Sequence, residues 1–514
     1  MKNILEYLEN AAAKYPGKTG FTDEQREAAF SEVMNNSKKI ACALRNALSE
    51  EGIDFGECPK RPVAIMLDRN IKCIEAMFSA VYAGCFYVVI DVDSPASRIS
   101  AILETLKPEA VITDSSYAHM AETLFSEKPV IDFENAAQCH IDEKFIEDMR
   151  RKMIDTDPLY VLFTSGSSGI PKGAVLSHRS VINYINWVSR QFGFSEKTSF
   201  GAQTPLYFSM SVTDLYSTVK CAGTYNIIPK TYFTFPMKLI EFINNRKVNT
   251  LYWVPSALSI LSNWNVFEYE KPKYIEKVLF AGEVMPVKHL NYWRSHLPEC
   301  TYANLFGPTE TTDICTFYIV DREFKDEEIL PIGKSCDNCD TFIINEKGLP
   351  AEKGEEGELL VRGSFLASGY YNDLNKTKES FIQNPLQSSY PEKVYRTGDL
   401  VKLNEKGELI YITRKDFQVK RMGYRIELGE IEAAVNSLDG VKSSAAVYDD
   451  SANSILVLYE GKSKNEAYIL KQLEDKLPPY MKPDKVLKIK AIPYNANGKI
   501  DRVKLKNDYT GKEQ

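Results

Sequence analysis

Apolar positions recur along this chain with two periods, and the switch between them marks out the elements. At the N-terminus Ile4, Leu5, Leu8 and Ala11 fall at helical spacing with acids among them. That pattern predicts an amphipathic helix and not a secretory leader. Short runs rich in β-branched and aromatic residues then alternate with helical stretches: RPVAIML, a helix ending near Ala83, CFYVVID, AVITD, and later NTLYWVP, KVLFAG and TYANLFG. Strands alternating with helices predict parallel βαβ units and an α/β fold. The longest apolar run, Ala80–Ile90, is too short to cross a bilayer and reads as a buried strand. After about residue 330 the texture changes. GELLVRGS and GELIYITR are Gly-punctuated and alternating, which predicts antiparallel hairpins. A charged, helix-rich tail follows Arg425, and the boundary falls near Thr413–Phe417, where a strand ends in Arg-Lys-Asp.

Composition narrows this picture. Of 514 residues, 44% are apolar and 26% charged, so the chain is globular and neither disordered nor fibrous. Lys and Arg number 63 against 70 Asp and Glu, a net charge of −7. Without a basic field, neither nucleic acid nor a membrane surface is an expected partner, and any polyanion must be met by local positive charge. Ten cysteines include one Cys-x-x-Cys, Cys336 and Cys339. A second pair is missing, so buried free thiols in a reducing cytoplasm are expected, not a structural zinc. The 5 histidines form no Ser-His-Asp signature.

The most informative stretch is YVLFTSGSSGIPKGAVLSH, Tyr160–His178. Apolar runs enter and leave a loop of Ser, Gly and Lys. Small residues let backbone N–H groups approach phosphate oxygens, the hydroxyls of Thr164, Ser165, Ser167 and Ser168 can donate, and Lys172 adds a point charge. Gly169 is followed by Ile-Pro-Lys-Gly, so the loop is not a Walker A loop. A flexible Ser/Gly turn between two strands is the other reading of these residues.

The full string Thr-Ser-Gly-Ser-Ser-Gly-x-Pro-Lys-Gly resembles the phosphate loop of the adenylate-forming superfamily. NLFGPTETT (Asn304–Thr312), YRTGDL (Tyr395–Leu400), RKDFQVK (Arg414–Lys420), GYRIEL (Gly423–Leu428) and NGKIDR (Asn497–Arg502) follow in that superfamily's order, and the likeness covers essentially the whole chain. Within it the chain is most similar to nonribosomal peptide synthetase adenylation domains and D-alanine–carrier protein ligases. The resemblance implies a large N-terminal domain, residues 1–415, of α/β subdomains with a β-rich subdomain. It further implies a small mobile α+β C-terminal domain, residues 416–514, rotating about the hinge Asp416.

The implied reaction forms an acyl-AMP and pyrophosphate from ATP and a carboxylic acid, and then passes the acyl group to a thiol. Lys499 resembles the catalytic lysine that bridges carboxylate and α-phosphate. Glu310 resembles the Mg²⁺ ligand, with Thr309 at the α-phosphate; one carboxylate plus phosphate oxygens suffices for magnesium. Thr164, Ser165, Gly166, Ser167, Ser168, Gly169 and Lys172 would cradle the phosphates. Asp399 would accept both ribose hydroxyls, with Arg414 in support. Phe306 would stack on adenine, framed by Gly282, Glu283, Val284 and Asn304.

The acid pocket departs from the pattern. Amino-acid-activating relatives carry Phe-Asp-x-Ser, whose Asp pairs with the α-ammonium; here the string is Phe208-Ser209-Met210-Ser211. Leaving a buried ammonium without its carboxylate costs about 3–5 kcal/mol. By the resemblance, Met210, Thr213, Ser256, Leu279, Ala281, Leu305, Asp313 and Ile314 complete the pocket, with Asp313 its one charge, whereas Asp214 is read as structural. The expected substrate is an acid that lacks an α-amino group, its hydroxyl meeting Asp313, or that carries its amine elsewhere. The expected acceptor is the phosphopantetheine thiol of a separate carrier protein, because no Gly-Gly-x-Ser motif follows Arg502. A D-alanine–carrier protein ligase, an acyl-CoA ligase and a non-catalytic nucleotide-binding protein are the alternatives.

Overall fold

The computed structural model describes residues 1–55, 60–125, 127–165, 171–415, 418–449, 452–462, 466–493 and 500–510. The chain divides into two compact units. One comprises Met1–Val92, Lys107–Leu162 and Gly173–Lys415; the other comprises Asp93–Leu106, Phe163–Lys172 and Asp416–Gln514.

The described residues form a nine-stranded sheet in the order Lys334–Ser335, Thr316–Ile319, Thr301–Phe306, Lys277–Phe280, Thr250–Trp253, Ser199–Ala202, Thr224–Ile227, Thr19–Thr22, Glu27–Ala29. Its six central strands are parallel, and antiparallel pairs close both edges. TLYW at 250–253 is buried throughout, as parallel strands covered on both faces must be. A second sheet of seven strands includes Pro62–Met66, Phe86–Val89, Ala110–Thr113 and Pro158–Thr164, again largely parallel. A five-stranded antiparallel sheet follows. In it Phe381–Gln383, Gly357–Gly363 and Leu409–Arg414 all pair with the long strand Lys393–Leu403. The fold is therefore α/β with a β-rich part.

Two helices carry Tyr184 and Thr213, whose hydroxyls meet at Asp313. In His178–Gln191, Ser177 accepts a hydrogen bond from the Ser180 N–H, which satisfies an otherwise orphaned donor of the first turn. Val181, Tyr184, Ile185 and Val188 then fall on one buried stripe. Ser211–Cys221 is buried from Ser211 to Val219, so its polar side chains must find partners inside.

In the tail, the helices Leu428–Asn436 and Glu466–Leu473 pack with a sheet of Val441–Asp449, Ser454–Gly461 and Lys485–Lys488. Ile431, Val435, Val457, Ile469 and Leu473 form its core, separate from the main one. Helices alone do not build this unit; it is α+β.

The N-terminal helix runs over Leu5–Lys14 and buries Leu5, Leu8 and Ala11. The run Ala80–Ile90 is not one strand. The helix Ile71–Tyr82 extends into it, Gly84 turns the chain, and the strand is only Phe86–Val89. An unbroken apolar run carries no period, so helix and strand are indistinguishable there until the glycine is weighed. Cys336 and Cys339 are free and buried, and burial pushes both thiols up, which leaves them unreactive. Among the described residues no helix is long and apolar enough to cross a membrane.

Candidate functional site

Four neighbouring parallel strands, Thr301–Phe306, Lys277–Phe280, Thr250–Trp253 and Ser199–Ala202, run side by side. Just past their carboxyl ends stand Gly307–Asp313, Ala281–Val284, Ser256 and Ser209–Thr213 respectively. In open α/β sheets the segments beyond the strand ends form the ligand crevice. The residues expected from the sequence to line an acid pocket thus stand in or just beyond the carboxyl ends of four strands of one sheet. Leu279 pairs with Tyr252 in register, so the two side chains share a sheet face. Leu279, Ala281, Leu305 and Ile314 are all buried, as is Met210.

Asp313 stands beyond the first of these strand ends. It is buried, not turned to solvent, and its Oδ2 accepts hydrogen bonds from Thr213 Oγ1 at 2.7 Å, Tyr184 Oη at 2.9 Å and Tyr252 Oη at 2.9 Å. Ser209 adds a weaker hydroxyl contact to the same carboxyl group. Burial raises the Asp313 carboxyl from an ordinary 3.8 to about 6, against the pull of the four hydroxyls. Tyr184 and Tyr252 were not among the sequence-predicted residues. Tyr184 lies on the apolar stripe of a helix and Tyr252 in an apolar strand run, so both read as core, and only the polar tip on each ring could have flagged them.

Local backbone geometry aims Asp313. Thr312, a β-branched residue, takes a φ of 71° and its hydroxyl donates to the Phe365 carbonyl at 2.7 Å. Such a conformation persists only where the surroundings over-determine it. Gly307 supplies the space: a Cβ there would stand 2.4 Å from the Asp313 carbonyl oxygen and 2.6 Å from Ile314 Cα. No side chain fits at 307.

Thr309 and Glu310 form a short 3₁₀ turn in the same segment. Glu310 is buried and its Oε1 accepts the Tyr370 hydroxyl at 2.6 Å. A hard, acceptor-only oxygen held by a tyrosine hydroxyl suits magnesium. No cluster of three or more His, Cys, Asp or Glu suited to a metal occurs among the described residues.

Asp399 and Arg414 face each other in register on antiparallel strands, with Nη1 2.8 Å from Oδ1 and both side chains buried. Asp399→Ala is expected to lower stability by about 2 kcal/mol, because it takes one charged hydrogen-bond partner from a buried guanidinium. A urea midpoint unchanged from wild type would refute that pairing. Phe306 stacks at a tilt on Tyr411, their centroids 5.8 Å apart. The Asn304 amide donates to the Pro331 carbonyl at 2.9 Å, and Val284 is 65% exposed. Glu283 Oε2 accepts the Ser256 N–H at 2.9 Å and so caps the helix Pro255–Asn263, whose own cap position is the apolar Val254.

The phosphate-loop candidates divide. Thr164 Oγ1 is buried with no hydrogen-bond partner among the described residues. The Ser165 hydroxyl donates to the Arg425 carbonyl at 2.7 Å. Its single proton is engaged there in this structure. Lys172 begins the strand Lys172–Ser177. Gly166, Ser167, Ser168, Gly169, Asp416 and Lys499 lie outside the described residues.

Residues 8–371 match the AMP-binding enzyme family. The chain belongs to that family. It is 30% identical over 508 residues to a mycosubtilin synthase polypeptide of Bacillus subtilis, a match covering 98% of this chain but only 19% of that protein. It is 28% identical to a D-alanine–D-alanyl carrier protein ligase of Bacillus licheniformis, over 99% of each. The fold of an o-succinylbenzoate CoA synthetase from Bacillus subtilis superposes with a TM-score of 0.83 at 20% identity, over 99% of this chain and 98% of that one. The described residues of this family member carry an adenylation-type fold.

Proposed function

We propose that this chain is an ATP-dependent, AMP-forming ligase that activates a carboxylic acid and loads it on the phosphopantetheine thiol of a separate carrier protein. The observation that carries this reading is the convergence of every predicted acid-pocket segment on the carboxyl ends of four adjacent parallel strands. Membership of the family and likeness to a carrier protein ligase over its full length support it. Asp399 with Arg414 would hold the ribose, and Phe306 with Gly282–Val284 and Asn304 the base. Thr164–Gly169 and Lys172 would hold the phosphates, with Thr309 at the α-phosphate. Lys499 would approach both reacting anions, and Asp416 would mark the hinge between the domains, residues 1–415 and 416–514. Glu310 would hold Mg²⁺, which when bound neutralises phosphate charge.

The acid is one whose ammonium, if it has one, is not met at position 209. Ser209 carries no charge, so a D-alanine ligase using that place for its ammonium is disfavoured. ATP–pyrophosphate exchange over benzoates, α-, β- and ω-amino acids and D-alanine should show acid-dependent exchange for one class. Absence of exchange with every acid would overturn the ligase reading. Loading of the activated acid on a phosphopantetheinylated carrier, against transfer to free CoA, separates the two acceptors.

A further inference from the structure

A buried carboxylate is normally paired with a cation or a metal. Asp313 has neither among the described residues: its contacts are the hydroxyls of Thr213, Tyr184, Tyr252 and Ser209. The three hydrogen bonds all address Oδ2, and Tyr184 Oη and Thr213 Oγ1 also stand 2.6 Å from each other. One oxygen offers about two lone pairs, so Oδ2 is fully subscribed while Oδ1 keeps acceptor capacity. Hydroxyl dipoles orient the carboxylate and soften its burial, but they do not cancel its charge. A hydroxyl-bearing ligand would add one more dipole of the same kind. An ammonium would supply the missing charge.

We infer that Asp313 is the acceptor of a primary ammonium on the substrate, and hence that the acid activated here is an amino acid. This deepens the ligase reading and rests on it. Tyr184, Tyr252 and Thr213 are positioning residues: they act on the substrate through Asp313. Recognition through the ionised form makes binding fall away below about pH 6, where Asp313 takes up a proton. Asp214, Tyr160 and Cys336 are the other titratable groups that sense Asp313, and none of them supplies positive charge.

The test compares glycine, alanine, β-alanine and γ-aminobutyrate with acetate, propionate, 3-hydroxypropionate and butyrate, on the full chain. One of the amino acids should drive pyrophosphate exchange, and its amine-free counterpart should not. Asp313→Asn should raise the KM for that amino acid roughly a hundredfold while leaving the KM for ATP in place. Tyr252→Phe should move the acid-limb of the KM profile to higher pH, which a purely structural role would not do. Exchange driven best by an amine-free acid, or an amino-acid KM unmoved in Asp313→Asn, would overturn the inference. Calorimetry of the same acids without ATP keeps the two readings apart. Amino-acid binding lost in Asp313→Asn supports this assignment even if no exchange occurs, and no amino-acid binding to the wild type overturns it.

Discussion

Lys499→Ala is expected to lower adenylate formation about a thousandfold while leaving thiol transfer from supplied acyl-adenylate at its wild-type rate. The first half-reaction drives a carboxylate onto a phosphate, so two anions must approach each other and charge accumulates between them. A positioned ammonium lowers that barrier only if it sits between the reacting groups. In the second half-reaction a thiol attacks an acyl carbon and AMP leaves, and the carboxylate charge is already gone. The two steps are measured separately, by pyrophosphate exchange and by thioester formation from synthetic acyl-adenylate. Equal loss in both would place Lys499 in binding or folding, not in the first chemical step.

Asp313→Asn is expected to make the protein more stable at neutral pH even as it removes the proposed ammonium acceptor. The folded pKa of about 6 lies above the ordinary 3.8, so between these values the folded chain binds more protons than the unfolded one. Stability conferred by the protonated carboxyl is therefore lost as pH rises from about 4 to about 6, and the deficit is constant above that. About two pH units correspond to ~3 kcal/mol. The asparagine escapes this loss and keeps an acceptor oxygen for the hydroxyls. Removing the charge also relaxes Asp214, whose carboxyl is pushed up by burial and by Asp313. The difference in urea midpoint between variant and wild type should widen from pH 4 to 6 and then level. A difference that is flat across this range would show that Asp313 does not titrate there.

Much of this was legible in the residues. The alternation of apolar runs and helical stretches led to the parallel strands, and the ordered motifs led to Asp399, Arg414, Glu310 and Asp313. What stayed hidden has physical causes. Tyr184 and Tyr252 look like core because most of each ring is apolar; their hydroxyls matter only once the helix and the strand are brought to one carboxylate. The positive φ of Thr312 cannot be foreseen, because the tight turn it centres, with the Asp313 N–H donating to the Thr311 carbonyl, is a strained one that the bond from the Thr312 hydroxyl to the Phe365 carbonyl helps to hold. Ser165 reads as a loop donor until the Arg425 carbonyl is found beside it. Chain pattern reports which residues are available, and tertiary contacts decide which protons are already spent.

The Glu283 cap has a bearing on how such a pocket can be re-engineered. Its carboxylate belongs to the stretch proposed to frame the base, yet it holds the first turn of the helix that carries Ser256, a residue proposed for the acid pocket. A library that varies residues 282–284 for nucleotide preference also loosens the helix that carries this proposed acid-pocket residue. One that varies only Ser256 inherits whatever helix position Glu283 dictates. Selection for a new substrate on this scaffold should therefore randomise both stretches together, since they are mechanically one part.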